Sequence, residues 1–304
     1  MGIIKYLKHD QIDKQKWDDC IRNSVNSLIY GYSYYLDCMA DNWDALVMDE
    51  YSSVMPLPWK KKFGIQYIYQ PFLVAQAGIF ATDIINVNVA NFIAAIPQKF
   101  KLIEISLNTG NSINNIDRTS TVKSNYVLPL SRNYDDLHNG YKENIRRNVK
   151  KAMQSGCTLS KDVNVEELIS LAVKQMMMQG METSENVTRF RNLYSILSKR
   201  GEAVCYGVHS PNKKLLSCCC FFISGNRAYY ILVGNAPEGK EYGASHALID
   251  GVINEYSGKD MILDFEGSDI PGLAFFYSGF GAEHETYPSI KINRLPWYIR
   301  LFKH

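Results

Sequence analysis

No stretch of this 304-residue sequence approaches the 18 consecutive apolar residues of a membrane-crossing helix, so no transmembrane segment is expected. The first ten residues, Met1 to Asp10, lack the continuous apolar h-region of a signal peptide, and the expected compartment is the cytoplasm. An excess of one charge is missing too. Lys plus Arg total 33 against 31 Asp plus Glu, for a formal net charge of +2. A nucleic-acid or membrane-surface role would therefore need a local patch. There is no C-x-x-C pair and no Cys/His spacing suited to zinc, so no metal site is expected. The seven cysteines are odd in number, and three are consecutive, Cys218-Cys219-Cys220, just before Phe221-Phe222-Ile223. Neighbours in a strand point to opposite faces, which favours buried reduced thiols over a disulfide. No fixed-period repeat is visible. What is present is 46% hydrophobic and 21% charged residues, enough for a real core and for two ordinary domains. Twenty tyrosines suit surfaces that stack and hydrogen-bond better than a plain aliphatic core.

The second half carries the clearest patterning. Leu137, Tyr141, Ile145, Val149 and Met153, spaced four apart, predict one amphipathic helix over residues 134–155, with Gly156 as its cap. A second helix is expected from Asn164, supported by Glu167, to Gly180, and a third from Ser184 to a terminating Gly201. Strand-like runs follow at 203–208, 215–224 and 227–233, joined by Ser210-Pro211-Asn212 and Gly225-Asn226 turns, which makes an antiparallel meander. A polar loop from Gly234 to Gly243 then leads into a helix over 244–256 and a buried strand over 261–265, the pattern of a right-handed crossover. A short helix near 271–277 and a last strand near 283–292 complete the unit. The first half reads as a less regular version of the same scheme. A helix over 11–22 precedes strands at 43–48, 53–57 and 65–69, a helix at 87–96, and strands at 102–107 and 124–130. The fold class expected is α/β (α+β), a mixed, mostly antiparallel sheet flanked by helices, present twice.

Four stretches carry a family resemblance. They are Asn144 to Ala152, Arg227-Ala228-Tyr229-Tyr230 with Gly234-Asn235, Leu263-Asp264-Phe265-Glu266-Gly267-Ser268, and Gly279-Phe280-Gly281. In order and spacing the segment from Asp136 to about His284 resembles the acetyltransferase-type domain of the GNAT superfamily, in the branch related to Fem-type peptidyltransferases, which add amino acids to peptidoglycan precursors. The resemblance implies two tandem GNAT-like domains. The expected boundaries are 1–133, completed by the tail 290–304, and 134–289.

An enzyme that moves an acyl group to an amine must hold the donor's phosphates, stabilise an oxyanion and manage one proton. Free N–H groups at a helix N-terminus grip phosphates best when no bulky side chain intervenes. The GNAT pattern here is Arg or Gln, two residues, Gly, one residue, Gly or Ala. This chain reads Lys240-Glu241-Tyr242-Gly243-Ala244-Ser245, keeping the central Gly and departing at both ends. Lys240, Tyr242, Gly243, Ala244 and Ser245 are the expected donor-binding residues, with an ordinary loop before a helix as the plainer alternative. Arg146 and Lys150, with Lys142, Arg147 and Lys151, form a basic helix face that either is merely solvated or holds the phosphates of a coenzyme A or a tRNA. Asp264 and Glu266, two apart at a strand end, are placed on one face, where either could orient or deprotonate an amine, or cap the following turn. His246 and His284 are further candidate bases, and isolated histidines are commonly bystanders. Tyr242 and Tyr277 could protonate a leaving thiolate or donate to the oxyanion. Fem-type enzymes usually carry a Lys where this chain has Tyr277, which argues against an aminoacyl-tRNA donor. The reading is an N-acyltransferase using acyl-CoA as donor substrate on an amine of a cell-wall, sugar or peptide acceptor, with Glu266, Asp264 and Tyr277 as catalytic residues. The alternatives are a Fem-type aminoacyl-tRNA-dependent transferase and a catalytically idle ligand-binding protein.

Overall fold

The computed structural model describes residues 2–85, 87–113, 120–161, 163–178 and 184–296. Its contacts divide the chain into two units, residues 1–123 with 286–304, and residues 124–285. No helix among the described residues is long and apolar enough to cross a membrane.

Unit 1 opens with strand β1 (Ile4–Leu7), helices α1 (Lys14–Asn23) and α2 (Ser33–Met39), and strands β2 (Asn42–Met48), β3 (Ser53–Lys62) and β4 (Ile65–Ile68). β1 to β4 pair antiparallel in sequence order. After the two-residue strand β5 (Phe80–Ala81), helix α3 (Val89–Ala95) carries the chain to β6 (Phe100–Ser106), which lies parallel to β4. Asp13 caps α1 by accepting the N–H groups of Gln15 and Lys16, and Trp17, Cys20 and Ile21 turn its apolar side into the core. No helix is expected at α2, because its run Ser-Tyr-Tyr-Leu-Asp-Cys-Met is aromatic-rich and weakly helical by propensity; burial of Tyr35, Leu36 and Met39 holds it.

Unit 2 begins within β7 (Ser120–Pro129), from Ser124 onward. The helix expected over 134–155 is in fact two, α4 (Tyr134–Asn139) and α5 (Glu143–Gln154). Gly140 ends the first, and the Lys142 N–H leaves the helical ladder to donate to the Gly279 carbonyl at 2.8 Å. Leu137, Tyr141, Ile145 and Val149 are buried as the spacing requires, whereas Met153 is exposed. After the short strand β8 (Thr158–Ser160), α6 (Val165–Met178) starts where Asn164 accepts the Glu166 N–H, and its expected end at Gly180 lies outside the described residues. α7 (Ser184–Lys199) follows. Strands β9 (Ala203–His209), β10 (Leu215–Ser224) and β11 (Arg227–Asn235) form the antiparallel meander, with β8 on β9. The three consecutive cysteines are fully buried free thiols in β10, with Cys219 in one core and Cys220 opposite Cys205 across the strands. The chain then runs through α8 (Gly239–Tyr242) and α9 (Ala244–Tyr256) to β12 (Ile262–Asp264), which is parallel to β11 and antiparallel to β7. α10 (Pro271–Gly279) precedes β13 (Glu283–Asn293), whose residues from Thr286 return to unit 1 beside β6. Among the described residues each unit is therefore a mixed, mostly antiparallel sheet flanked by helices, with a helical crossover joining a parallel pair.

Candidate functional site

The site in unit 2 follows from how briefly β11 and β12 stay together. They pair only at Arg227–Ile262, Ala228–Leu263 and Tyr229–Asp264. β11 continues to Asn235, while the chain after Asp264 turns away through Glu266, at φ +62, and Gly267, at φ +79. Into the wedge between the diverging strands, α10 pushes Tyr277, whose ring stacks on Phe265 at 4.6 Å. Tyr230 of β11 meets both rings edge-on. Above this aromatic floor lies a pocket of about 400 Å³, lined by Tyr230, Val233 and Asn235 of β11, Gly243 to His246 of the α9 start, and Phe276 and Tyr277 of α10, with Lys240 among the rest. That volume falls in the range of pockets that take drug-sized ligands.

Two groups define its chemistry. The first is the start of α9. Internal bonding begins with His246 and Ala247, whose N–H groups donate to the Gly243 carbonyl. The N–H groups of Ala244 and Ser245 precede that ladder, and Gly243 has no side chain with which to cap them. The second is a hydroxyl–amide triad at the end of β11. Asn235 Oδ1 accepts from Ser217 Oγ and from Ser245 Oγ, both at 2.7 Å. Of the residues lining the pocket, Lys240 alone carries a formal charge at neutral pH. His246 is kept neutral, since burial pulls its imidazole down to about 4, and it packs edge-on against Phe276 at 4.9 Å. Burial, and then the nearby Glu266 charge, raise the Tyr277 phenol, which stays protonated.

The residues singled out from sequence separate into two sets. Lys240, Gly243, Ala244, Ser245 and Tyr277 are brought together around the pocket. Tyr242 is half-buried against the core, and Arg146 and Lys150 stand exposed on α5; none of the three lines it. Asp264 is 1% exposed, and its carboxylate is taken up by Arg227 at 2.7 Å and by the Glu266 N–H at 2.8 Å. Strand alternation would have put Asp264 and Glu266 on one face. The strand instead ends at Asp264, and the turn it caps redirects Glu266, which is half-buried and near enough to Tyr277 to raise it. His284 lies against Tyr126, ring to ring at 5.2 Å, and does not line the pocket. Gly243 answers to a second constraint beyond phosphate access. A Cβ on it would sit 2.6 Å from the Asn148 carbonyl oxygen, so glycine lets α5 approach the start of α9. Sequence reasoning missed the Ser217–Asn235–Ser245 triad, which joins three segments distant in the chain.

Residues 139–269 match the family model of the acetyltransferase (GNAT) domain. That stretch of the chain is similar to a GNAT acetyltransferase-type domain. The parallel pair β11 and β12 and the start of α9 fall within the matched residues. Among solved structures, one of FemX superposes with a TM-score of 0.65 at 15% identity, covering 98% of this chain and 100% of that one. A conserved protein of unknown function from Bacteroides thetaiotaomicron gives 0.56 at 12%, covering 95% and 99%. L-PGS from Bacillus licheniformis gives 0.55 at 11%, covering 95% of each. At such identities the likeness is one of fold, and it extends over nearly the whole chain. No curated protein matches the sequence.

Proposed function

We propose that the protein is an N-acyltransferase that moves an acyl group from acyl-CoA to an amine of a cell-wall, sugar or peptide acceptor. The observation that carries this reading is the wedge between β11 and β12, which opens onto the uncapped start of α9 with Tyr277 at its root. The Ala244 and Ser245 N–H groups, with Lys240 beside them, would hold the donor's pyrophosphate. The acyl arm would run along β11 past Asn235 and Val233 toward Tyr277. The acceptor nitrogen then attacks the thioester carbonyl, the C–S bond breaks, and the thiolate leaves with a proton from the Tyr277 hydroxyl. The attacking amine gives up its proton to Glu266, directly or through water. Asp264, committed to Arg227, would hold the turn that places Glu266. In this reading the catalytic domain is 134–289, and 1–133 with the tail 290–304 is its GNAT-like companion.

The one charged residue lining the described pocket is the cation Lys240, which would repel the cationic α-amine of an aminoacyl group and favours a neutral acyl group over aminoacyl-tRNA. Calorimetry with acetyl-CoA and longer acyl-CoAs tests the donor, and the expected result is saturable binding. Tyr277→Phe should keep that affinity and lower turnover about 10²-fold or more. Absence of acyl-CoA binding by the intact protein would refute the donor, and an undiminished rate in Tyr277→Phe would refute the proton route.

A further inference from the structure

α10 is introduced by the apolar run Ile270-Pro271-Gly272-Leu273-Ala274-Phe275. Its far end turns Tyr277 into the core, yet Ile270 is 62% exposed, Leu273 40% and Phe275 56%, with Pro271 exposed between them. Lone exposed apolar side chains are ordinary, but four within about two turns form a patch. Beside it lies α5, which buries Ile145, Val149 and Ala152 and exposes Lys142, Arg146, Arg147, Lys150 and Lys151. None of these five cations has an ion-pair partner among the described residues, and Glu143 is the only carboxylate on the helix. The two features are one surface. Lys142 Nζ lies 3.2 Å from Ser278 Oγ and 5.0 Å from the centre of the Phe275 ring. Farther along α5, Asn148 abuts Gly243, and Leu273 itself lines the pocket, so the surface borders the pocket mouth.

We propose that this surface docks unit 2 peripherally on an anionic phospholipid bilayer, with the start of α10 pressed into the headgroup region and α5 lying along it. Charge complementarity and apolar exposure select the same partner. Lipid phosphates suit the five cations, and the upper acyl region suits Ile270, Leu273 and Phe275. A nucleic acid would use the cations but leave the aliphatic side chains in water with nothing to cover them. The Lys142 ammonium lies over the Phe275 ring, so a cation and an exposed aromatic ring are presented together at this edge of the surface. With a net charge of only +2 over the whole chain, the attraction is local and falls with salt.

The docking needs neither donor nor turnover, so its test is independent of the acyl-transfer reading. The full chain is sedimented with phosphatidylcholine vesicles prepared with and without phosphatidylglycerol. Binding is expected only with the anionic lipid. Each basic residue at such a surface contributes roughly fivefold in partitioning, so Arg146→Gln with Lys150→Gln should lower it about 25-fold. Ile270→Ser with Phe275→Ser, at exposed positions, should lower it at least about tenfold with an unchanged thermal melt. Equal binding to both vesicle types, or full binding by the α10 double variant, would overturn the proposal. So would retention of tRNA, abolished by the α5 variant, in a protein that ignores the vesicles.

Discussion

Gly243 stands between α8 and α9 at φ +71 and ψ +27, with α5 pressed against it. Placing alanine there makes two separable demands. A non-glycine residue held in the left-handed region costs about 1–2 kcal/mol. The new Cβ would also stand 2.6 Å from Asn148 O and 3.2 Å from Asn148 C, backbone atoms of a helix that cannot rotate aside. Forcing such a contact apart costs about 1–3 kcal/mol more, so the total is about 2–5 kcal/mol. Gly201 supplies the control within the same unit. It has the same φ of +71, but a Cβ there meets nothing within 4 Å, so Gly201→Ala should lose only about 1–2 kcal/mol. Urea unfolding followed by far-ultraviolet circular dichroism measures both. Tryptophan fluorescence would not serve, because none of the four tryptophans falls within residues 124–285 of unit 2. Equal losses in the two variants would refute the argument that helix approach, and not backbone conformation alone, requires glycine at 243. Donor binding lost in Gly243 variants would therefore report a displaced α5 before it reported a blocked phosphate.

Asp264→Asn should destabilise unit 2 by about 3–5 kcal/mol, because Arg227 would be left buried without its counter-charge; pairing Arg227→Met with Asp264→Leu should recover most of that, and a double-mutant cycle in urea decides. His246 gives a pH signature. Its imidazole titrates near 4 in the folded protein against 6.5 when free, so the unfolded chain binds the extra proton first as pH falls. Stability from this group is therefore complete above about pH 6.5 and declines toward pH 4, and His246→Phe should flatten the decline in thermal melts across that window.

The elements that sequence reasoning located well are those whose ends are marked by local chemistry. α9, β10 and the start of β11 fall where the glycines and turn residues put them, since Gly225-Asn226 and Gly243 act on their immediate neighbours. The expected helix over 134–155 failed at Gly140, because a tertiary bond from Lys142 to Gly279 outweighed an unbroken apolar stripe. Around the site, Tyr277 and the start of α9 were legible through the family's order of motifs. The commitment of Asp264 to Arg227, the turn at Glu266 and the junction of Ser217, Asn235 and Ser245 were not legible. These depend on which strands lie side by side, and a period-2 pattern says nothing of where two parallel strands stop pairing.

The two units use one scheme, and their crossover helices differ in how they begin. In unit 1, β4 and β6 are also parallel and also pair at three positions, with α3 between them. The start of α3 is closed, however: Asn88 accepts the Asn91 N–H at 3.3 Å with its own side-chain oxygen. An anion approaching α3 meets an amide oxygen already holding one of the helix's N–H groups. One approaching α9 meets a helix start with no side-chain cap, where the fully buried Ala244 and the half-buried Ser245 follow a residue with no side chain. An asparagine cap stabilises a helix end by satisfying it from within, and a glycine at the same place leaves that satisfaction to a ligand. The parallel crossover supplies a helix start in both units, and under the proposed function the single residue before the helix leaves only the one in unit 2 open to a donor.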